Sequence, residues 1–570
     1  MQLGASMKYY TFAVACALSI ALGTQAFAAP VPSTAEPGRS SEDIQKQKPK
    51  ARATGESVVP LRPGSMAPEE SQKVKFVLHG IKLVGAASIS ESELSSEWSA
   101  YVDQTISVAK LYEIVTAISA RYAAAGYALS FALLPEQDIT NGQVNIVVVE
   151  GYVDNVVVNS DVPEGGRLGL ARQIEAQSAR IKASRPLRVA ALERSLLLLN
   201  DLPGVKARAV FSASKSAQNA STLTLEVERD RISASADVNN RMTKDLGEWR
   251  AGGSVSLNGV ATGTDRLTFS AYSAVDADGF KYGSARYEQV LNTDGLTLAL
   301  GGSYSNDVPL KGILKAIDFK GNNSTGSVDV TWPLIRSRPE NLTLGAGFLY
   351  NDTKTEALGV SLTEDKVRSL NVSLTHDFYD STGGINLIRA DLTRGLSILD
   401  ATKDSSLLKS RANGSANFTT LSLYASRVQP LLDRISLFAE VQMQAALGNS
   451  LLAVRECAFG GQSFGRAYDA GALSGDHCLE SSAEARYDSQ LSGIGFQVYS
   501  YIDAAFIAQK GILEPGEKRH EQASSTGGGI RMFVSTRATV GAEIAVPLRD
   551  RFTDKGDGDT RVFFSSTIKF

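Results

Sequence analysis

Hydrophobic and polar residues alternate with a period of two over the C-terminal part of the chain, from about Arg231 to Phe570. In the stretch Ile435–Gln444, all five odd-numbered residues are apolar and four of the five even-numbered residues are polar. A strand with this pattern has one apolar face and one polar face. Segments of about ten such residues are typical of a transmembrane β-barrel with lipid outside and water inside. A soluble β-sandwich is the alternative, but it would need far fewer strands than this region supplies.

Sixteen candidate strands of this kind can be placed in residues 230–570. They lie near residues 231, 248, 265, 280, 296, 324, 342, 366, 384, 414, 434, 481, 495, 526, 537 and 560. An even number of antiparallel strands is typical of bacterial barrels. The chain ends in "RVFFSSTIKF", and a closing strand that ends in phenylalanine is the usual assembly signal of bacterial outer-membrane proteins. We therefore expect a sixteen-stranded antiparallel transmembrane β-barrel over 230–570, with Phe570 as its C-terminal assembly signal.

The region before the barrel has helical periodicity and contains a β-α-α-β-β pattern twice, over residues 74–151 and 152–229. The first copy opens with "VKFVLHGIKLVG" as a strand, and its main helix begins after Ser107 and stops at Gly126. The second copy has helices in "LARQIEAQSARI" and "RVAALERSLLLLNDLPGV". Each copy is predicted to be a small α+β module. Neither contains a catalytic constellation, so we expect the pair to bind or relay a partner.

The N-terminus predicts export. Lys8 precedes a short apolar run, and the small residues around Ala28 and Ala29 indicate cleavage between them, so residues 1–28 are a predicted signal peptide. An uncleaved anchor is the weaker alternative because the apolar run is too short to span a membrane. Residues 29–73 are rich in Pro, Ser, Gly and charge, which predicts a flexible periplasmic tether. The stretch "SSEDIQKQ" within it is a candidate for a short plug helix.

Composition excludes several classes of function. The 570 residues are 43% hydrophobic and 21% charged, which is typical of a folded protein. The net charge of −3 lacks the excess of positive charge that indicates nucleic-acid binding. The four histidines and three cysteines include no pair with zinc-ligand spacing, so we expect no metal and no cofactor. The stretch "SGDHC" holds a nucleophile, but no acid or base partner lies at a diagnostic spacing. We therefore expect no enzyme activity.

The connection over residues 447–482 is the longest in the barrel half and contains "GGQSFGRAYDAGALSGDHC". Here the chain resembles the two-partner secretion transporters, the haemolysin secretion/activation or TpsB family, which are relatives of BamA-type insertases. "PEQDITNGQVNIVVVEGYV" and "LLLLNDLPGV" resemble parts of the two POTRA modules of that family. "FGRAYDAGALSGD" resembles the loop that the family folds into its barrel, and "YIDAAF" resembles a barrel-wall motif. The resemblance covers nearly the whole mature chain.

The resemblance implies that Arg466 of the loop pairs with Asp503 on the inner wall of the barrel. The loop motif comprises Phe464, Gly465, Arg466, Ala467, Tyr468 and Asp469, and the wall motif includes Tyr501, Asp503 and Ala505. Independently, strand parity places Asp503 on the polar face with Tyr501, because a carboxylate that faces lipid is costly. The family usually has glycine where this chain has Ala467 and Ala505, which affects fine loop geometry. The alternative is two solvated charges that never meet.

We expect a wet lumen, in which such an exposed pair contributes only about 0–1 kcal/mol. In a dehydrated site, the loss of one partner would instead cost about 3–5 kcal/mol.

Removal of the signal peptide leaves Cys457 and Cys478 as the cysteines of the mature chain. They flank the loop, and export places them in an oxidising compartment, so we expect a disulfide between them. Such a bridge would stabilise the loop by roughly 3 kcal/mol on the chain-entropy estimate. Two free thiols are the alternative.

The function implied by the resemblance is transport of an unfolded, exported partner protein of the TpsA type through the barrel to the cell surface. The POTRA modules would capture that partner by strand addition to a sheet edge. We expect a monomer surrounded by outer-membrane lipid and assembled by the barrel assembly machinery through Phe570. A BamA-type insertase is the nearest alternative, although it would more often carry additional POTRA modules. A passive diffusion porin is a further alternative, but it has no use for two periplasmic modules.

Overall fold

The computed structural model describes residues 33–45, 48–54, 69–139, 141–160, 168–276, 278–513, 517–548 and 559–570. The predicted signal peptide, with Ala28 and Ala29, lies outside the described residues. The described chain forms an N-terminal segment, two α+β modules and a closed β-barrel. The described α-helices are α1 (Arg39–Gln45), α2 (Glu91–Leu94), α3 (Val108–Ala124), α4 (Leu168–Ala183), α5 (Val189–Asn200) and α6 (Gly312–Ala316). Single 3₁₀ turns occupy Ser33–Ala35, Glu69–Gln72, Ser95–Glu97, Ser99–Tyr101, Lys244–Leu246 and Ala453–Arg455.

The first module packs α3 on a small sheet. Its strands are β1 (Lys75–Val77), β2 (Gly80–Val84), β3 (Thr105–Ser107), β4 (Phe131–Leu133) and β5 (Gln143–Val149). The sheet has the order β2-β5-β4, and β1 pairs separately with β3. The single strand predicted for "VKFVLHGIKLVG" is therefore wrong, because its two halves pair with different strands. As expected, the Ser107 hydroxyl caps α3 and its apolar stripe is buried.

The second module repeats this plan with a three-stranded sheet. Its strands are β6 (Tyr152–Ser160), β7 (Val205–Ala213) and β8 (Ala220–Arg229), in the order β6-β8-β7. Helices α4 and α5 cover one face of the sheet, and a single apolar core holds the layers together. The predicted fold class of two POTRA-like modules before a barrel is confirmed.

Sixteen of the described strands close into an antiparallel barrel. They are β9 (Ile232–Asn239), β10 (Arg250–Asn258), β11 (Asp265–Ala274), β12 (Phe280–Val290), β13 (Thr297–Asp307), β14 (Lys320–Arg336), β15 (Glu340–Ala357), β16 (Val360–Tyr379), β17 (Ile385–Gly395), β19 (Thr419–Leu432), β20 (Ile435–Ala446), β24 (His477–Leu491), β25 (Ile494–Ala508), β26 (His520–Phe533), β27 (Ala538–Pro547) and β28 (Arg561–Lys569). The short strands β18 (Gly414–Ser415), β21 (Ser450–Leu451), β22 (Cys457–Phe459) and β23 (Leu473–Gly475) lie in the connections. The barrel closes where β28 pairs with β9, and the Phe570 N–H donates to the Ala234 carbonyl at 2.8 Å.

Alternation along the strands separates a lipid-facing surface from the lumen. On β25, Val498 and Ile502 are exposed on the outside, whereas Tyr501 and Asp503 are buried on the inside. This inside–outside pattern is the one that the sequence predicts for a transmembrane barrel.

Short turns join the strands at the end near the modules, and the long connections lie at the opposite end. The longest described connection joins β20 to β24 over residues 447–476. It ends earlier than the predicted residue 482, because the first polar residues after the loop already pair with β25. Likewise, β19 begins at Thr419 and not near residue 414, since Gly414 and Ser415 pair with β21 inside the connection.

Residues 33–45 and 48–54, within the predicted tether over 29–73, lie inside the barrel, and we call them the N-terminal segment. Helix α1 occurs at the position of the candidate plug helix. Ile44 packs against an apolar cluster that includes Met242 and Phe280. Farther along, the Ala53 N–H donates to Asp377 of β16 at 2.6 Å. A polar segment is ordered here because the wall that it meets is also polar and hydrogen-bonds with it.

The second module is fastened to the barrel at the short turns. Asp201, just after α5, forms ion pairs with Arg336 of β14 at 2.8 Å and with Arg52 of the N-terminal segment. Burial raises the pKa of Asp201, but the two guanidinium groups outweigh it and the net pKa is lowered. The side chain of Gln177 on α4 donates to the Thr293 carbonyl in the β12–β13 turn at 2.7 Å. The N-terminal segment, the module and the barrel rim therefore share one junction.

Candidate functional site in the barrel lumen

The connection between β20 and β24 folds back into the barrel, and we call residues 447–476 the luminal loop. Its two arms pair as the short hairpin β22–β23. A disulfide joins Cys457 on β22 to Cys478 on the barrel strand β24, with 6.3 Å between the Cα atoms. The bridge ties one arm of the loop directly to the wall.

A tight turn at the tip of the loop presents Arg466 to the wall. Gly465 has a φ of 71°, a conformation that favours glycine. A Cβ at this position would also lie 2.5 Å from the ring of Phe459. The turn is closed by the Tyr468 N–H, which donates to the Gly465 carbonyl at 2.8 Å.

Arg466 reaches Asp503 of β25 through three donors. Its Nη2 lies 3.0 Å from Oδ1, and its Nε lies 3.1 Å from Oδ2. Its backbone N–H also donates to Oδ2, at 3.1 Å. A bidentate guanidinium–carboxylate pair of this kind fixes orientation as well as distance.

The remaining donors of Arg466 are used on the neighbouring strand. Nη1 lies 3.0 Å from Oε2 of Glu484, and Nη2 donates to the Ser482 hydroxyl at 3.0 Å. The guanidinium also stacks on Tyr501, with 3.3 Å between its central carbon and the ring centroid. These contacts hold one side chain between β24 and β25.

The pair is buried. Arg466 is 7% exposed and Asp503 is 0% exposed, so the wet-lumen expectation of a nearly neutral pair is wrong at this position. The loop itself excludes water from the wall behind it. Removal of one partner should therefore cost about 3–5 kcal/mol, because a buried charge is left without its counter-ion.

The other residues of the two predicted motifs surround this pair. Lys48 of the N-terminal segment lies 4.1 Å from the centroid of the Phe464 ring. The Tyr468 hydroxyl donates to the Ser524 carbonyl of β26 at 2.8 Å, and Asp469 pairs with Arg561 of β28 at 2.7 Å. Ala467 and Ala505 are buried, so both small residues occur at close contacts. The motif thus contacts the wall from β24 to β28.

Sequence reasoning missed Glu484, Ser482, Lys48 and Arg561 as parts of the site. Ser482 and Glu484 alternate with apolar-facing positions on β24, so parity alone places them inside the barrel. Lys48 lies in a segment predicted to be outside the barrel, and nothing in its sequence context indicates its position. It forms an ion pair with Glu440 of β20 at 2.6 Å.

The N-terminal segment contacts the luminal loop directly. The Ser33 hydroxyl donates to the Gly471 carbonyl at 2.6 Å. The Arg39 guanidinium donates to the carbonyls of Ala453 and Glu456 at 3.0 and 3.2 Å. Between α1 and the opposite wall there is a cavity of about 720 Å³, lined by both polar and apolar side chains from β11 to β17. The segment and the loop together fill much of the lumen and leave this space on one side.

Two further observations concern the described residues alone. No helix among them is both long and apolar enough to cross a membrane. Over the same ranges, no group of three or more His, Cys, Asp or Glu side chains is placed to hold a metal ion.

The fold and this loop-filled lumen define an outer-membrane β-barrel transporter with periplasmic POTRA modules. Residues 76–151 match the model of the ShlB-type POTRA domain. Residues 219–526 match the model of the haemolysin secretion/activation protein ShlB/FhaC/HecB, which covers more than half of the chain. The chain belongs to this haemolysin secretion/activation family: it is a two-partner secretion transporter of the outer membrane and not an enzyme. Membership in the family implies a secreted partner protein.

Individual relatives are distant but extend over most of the chain. The heme/hemopexin transporter protein HuxB of Haemophilus influenzae (strain ATCC 51907 / DSM 11121 / KW20 / Rd) is 22% identical over 99% of both chains. The solved structure of CdiB from Escherichia coli has a TM-score of 0.66 at 19% identity, covering 89% of this chain and 94% of that one. BamA from Haemophilus ducreyi lacking POTRA domains 1–3 has a TM-score of 0.53 at 12% identity, covering 87% of this chain and 100% of that one. Both solved structures are similar to this chain in fold.

Proposed function

We propose that this transporter passes an unfolded partner through the barrel and that Arg466 holds the luminal loop in its working position. The observation that carries the proposal is the set of contacts that Arg466 makes with Asp503, Glu484 and Ser482 in a buried part of the lumen. Each contact joins the loop tip to the wall. A fixed tip would keep the loop against β24 and β25 and leave the other side of the lumen for the partner.

Capture of the partner would take place at a sheet edge of the POTRA modules. In the second module β6 and β7 are the edge strands, and β6 exposes Val157 and Val158. An unpaired strand edge with adjacent apolar side chains is a template for an added strand of another chain. An unfolded polypeptide has the free backbone groups that this requires.

The partner would be a large, repeat-rich exported protein of the TpsA type. Its folding outside the cell would give transport its direction, since the periplasm offers no ATP and the sequence has no P-loop. The transporter itself would act as a monomer in outer-membrane lipid, assembled through Phe570. A gene for such a partner beside this one would support secretion over the insertion of membrane proteins.

The role of Arg466 can be tested by export of the partner. Arg466→Ala should reduce export by a larger factor than it reduces the amount of folded barrel, which heat-dependent gel mobility measures. Asp503→Ala should have the same effect. The double variant should be little worse than either single one, because the two residues act as one unit.

Arg427 provides a matched control. It also pairs with a carboxylate, Asp380 at 2.5 Å, but the pair lies at the short turn between β16 and β17, away from the loop motif and from the luminal cavity. Arg427→Ala should export like the parent protein. Additive losses in the Arg466 and Asp503 double variant would show that the residues act separately and would contradict the proposal.

A further inference from the structure

A second buried arginine, Arg411, lies in the connection between β17 and β19. It is 6% exposed and contacts two other connections. Its Nη1 donates to the Leu451 carbonyl at 2.9 Å, and its Nη2 donates to Oε1 of Gln509 at 2.9 Å. Leu451 belongs to the luminal loop, and Gln509 follows β25 directly. Arg411 therefore joins three connections at the end of the barrel far from the modules.

Asp476 is one acidic partner of Arg411 and lies at the end of the luminal loop. Nη1 of Arg411 lies 3.2 Å from both carboxylate oxygens of Asp476, which is fully buried. The same carboxylate accepts from the Leu451 N–H at 2.6 Å and from the Lys510 N–H at 2.8 Å. Leu451 and Asp476 lie on opposite arms of the loop, so this cluster closes the loop where it leaves the wall.

Glu456 connects the same guanidinium to the N-terminal helix. Its Oε1 lies 2.8 Å from Nη1 of Arg411, and its Oε2 accepts from the Ser474 hydroxyl at 2.9 Å. The backbone carbonyl of Glu456 accepts from Arg39, the first residue of α1, at 3.2 Å. A displacement of Glu456 would therefore also displace a contact of α1. We call Leu451, Glu456, Ser474 and Asp476 the neck of the luminal loop.

The neck is separate from the tip of the loop. The tip is fixed by Arg466 against β24 and β25, whereas the neck is fixed by Arg411 from a different connection. The two arginines share no partner among the contacts described above. Each therefore constitutes its own anchor.

We infer that Arg411 is a positioning residue for transport: it holds the neck of the luminal loop and, through Glu456, keeps α1 in the lumen. This inference rests on the proposed function of the loop as the element that occupies the lumen. Without the guanidinium, the buried carboxylates of Glu456 and Asp476 remain close together without their shared counter-ion. Their repulsion favours separation of the two arms of the loop at the neck. Lysine cannot replace the several directed contacts, because it presents a single ammonium group.

The test uses the full-length transporter in planar lipid bilayers and in outer membranes, with Arg411→Met and Arg411→Lys. Ser41→Cys serves as a reporter, because Ser41 of α1 is buried and the other mature cysteines form a disulfide. Arg411→Met should raise the ion conductance and speed maleimide labelling of Cys at position 41 by about tenfold or more, the factor that corresponds to ~1.4 kcal/mol. Arg411→Lys should have nearly the same raised conductance and labelling rate as Arg411→Met.

Arg368→Met is the matched control. Arg368 is also a buried arginine paired with a carboxylate, Asp352 at 2.6 Å, but it lies on β16. It donates to the Leu399 carbonyl in the β17–β19 connection and has no contact with the neck among those described above. The Arg368→Met variant should have the conductance and the labelling rate of the parent protein. If Arg411→Met fails to give a heat-modifiable barrel, Asp476→Asn in a folded barrel should give the same rise in labelling.

The outcomes separate this inference from the role of Arg466. Parental conductance and labelling in folded Arg411→Met or Asp476→Asn would overturn the inference, even where Arg466→Ala loses export. An equal rise in Arg368→Met would also overturn it, because the effect would then follow from the loss of any buried arginine. An open channel in Arg411→Met with normal export in Arg466→Ala would support the neck anchor and contradict the role of the tip.

Discussion

Charged side chains with several hydrogen-bond partners recur in this protein and connect separate elements. In the first module the carboxylate of Glu150 accepts from the Ser88 N–H at 2.6 Å and from the Tyr122 hydroxyl at 2.8 Å. The Ala87 N–H donates to it as well, at 2.8 Å. Ser88 lies in the loop after β2, and Tyr122 lies on α3. Glu150 therefore holds the loop and the helix at the end of the sheet.

At the residue scale, Glu150 should make the stability of the first module dependent on pH. Partial burial raises the pKa of Glu150, but the donors from Ser88, Ala87 and Tyr122 outweigh it, so the folded-state pKa lies below the ordinary 4.5. The contribution to stability is fully present above the unfolded-state pKa and is lost as pH falls through the folded-state pKa. Glu150→Gln should therefore destabilise the module at neutral pH, and the difference from the parent should shrink below about pH 4.5.

Trp98, which is buried in the first module, can report this unfolding. Urea titrations of the full chain, with Trp249→Phe and Trp332→Phe as background, would follow its fluorescence at neutral and acidic pH. Glu113→Gln is the control, because Glu113 pairs with Lys110 on the surface of the same module. A difference between Glu150→Gln and the parent that is constant over this pH range would contradict the argument.

Residue-level prediction from sequence identifies which face a side chain occupies but does not identify what lies against it. Parity alone places Asp503 inside the barrel, and this is how the structure has it. Its complete burial depends on the luminal loop, whose path no local pattern specifies. Alternation along β24 likewise predicts that Glu484 faces the lumen. The position of Lys48 beside the loop can be seen only in the tertiary structure.

At the element scale, the N-terminal segment shows where composition misleads. Residues 33–54 are too polar to form an apolar core, which is why the sequence predicts a tether. In the lumen the wall supplies polar partners, such as Glu440 for Lys48 and Asp377 for the Ala53 N–H. The period-two pattern, by contrast, predicts all sixteen barrel strands, because each has one face toward lipid and one toward polar groups.

Deletion of residues 33–54 should open the lumen without preventing barrel formation. The sixteen strands close by their own pairing, so the heat-modifiable gel mobility should persist. The lumen should gain the space that α1 occupies, and conductance in planar bilayers should rise. The effect should be greater than that of the double substitution Arg39→Ala and Lys48→Ala, which removes contacts but keeps the backbone.

A matched control removes two cations elsewhere. Lys110 and Arg121 pair with Glu113 and Glu97 on the surface of the first module. Their replacement by alanine should leave conductance unchanged. Parental conductance after the deletion would show that the segment does not limit flow through the lumen.

At the scale of the whole molecule, the barrel is fastened to the second module and the second module to the first. Asp201 and Gln177 of the second module contact the barrel turns. The two modules meet through backbone hydrogen bonds, from the Val189 N–H to the Gly126 carbonyl at 2.8 Å and from the Leu187 N–H to the Gly151 carbonyl at 2.9 Å. In this serial arrangement the proposed capture of the partner by the modules would be separate from closure of the barrel.

Deletion of the first module, residues 74–151, should therefore abolish export but leave the barrel inserted. Barrel closure uses strands from β9 onward, and the junction formed by Asp201, Arg336 and Arg52 lies outside the deleted residues. The partner would lose one of the two modules that present strand edges to it. Export measured in the medium should fall to background, while heat-dependent mobility and the amount in the outer membrane match the parent. Loss of the mobility shift would mean that the module serves barrel assembly, and unchanged export would mean that the second module is sufficient for capture.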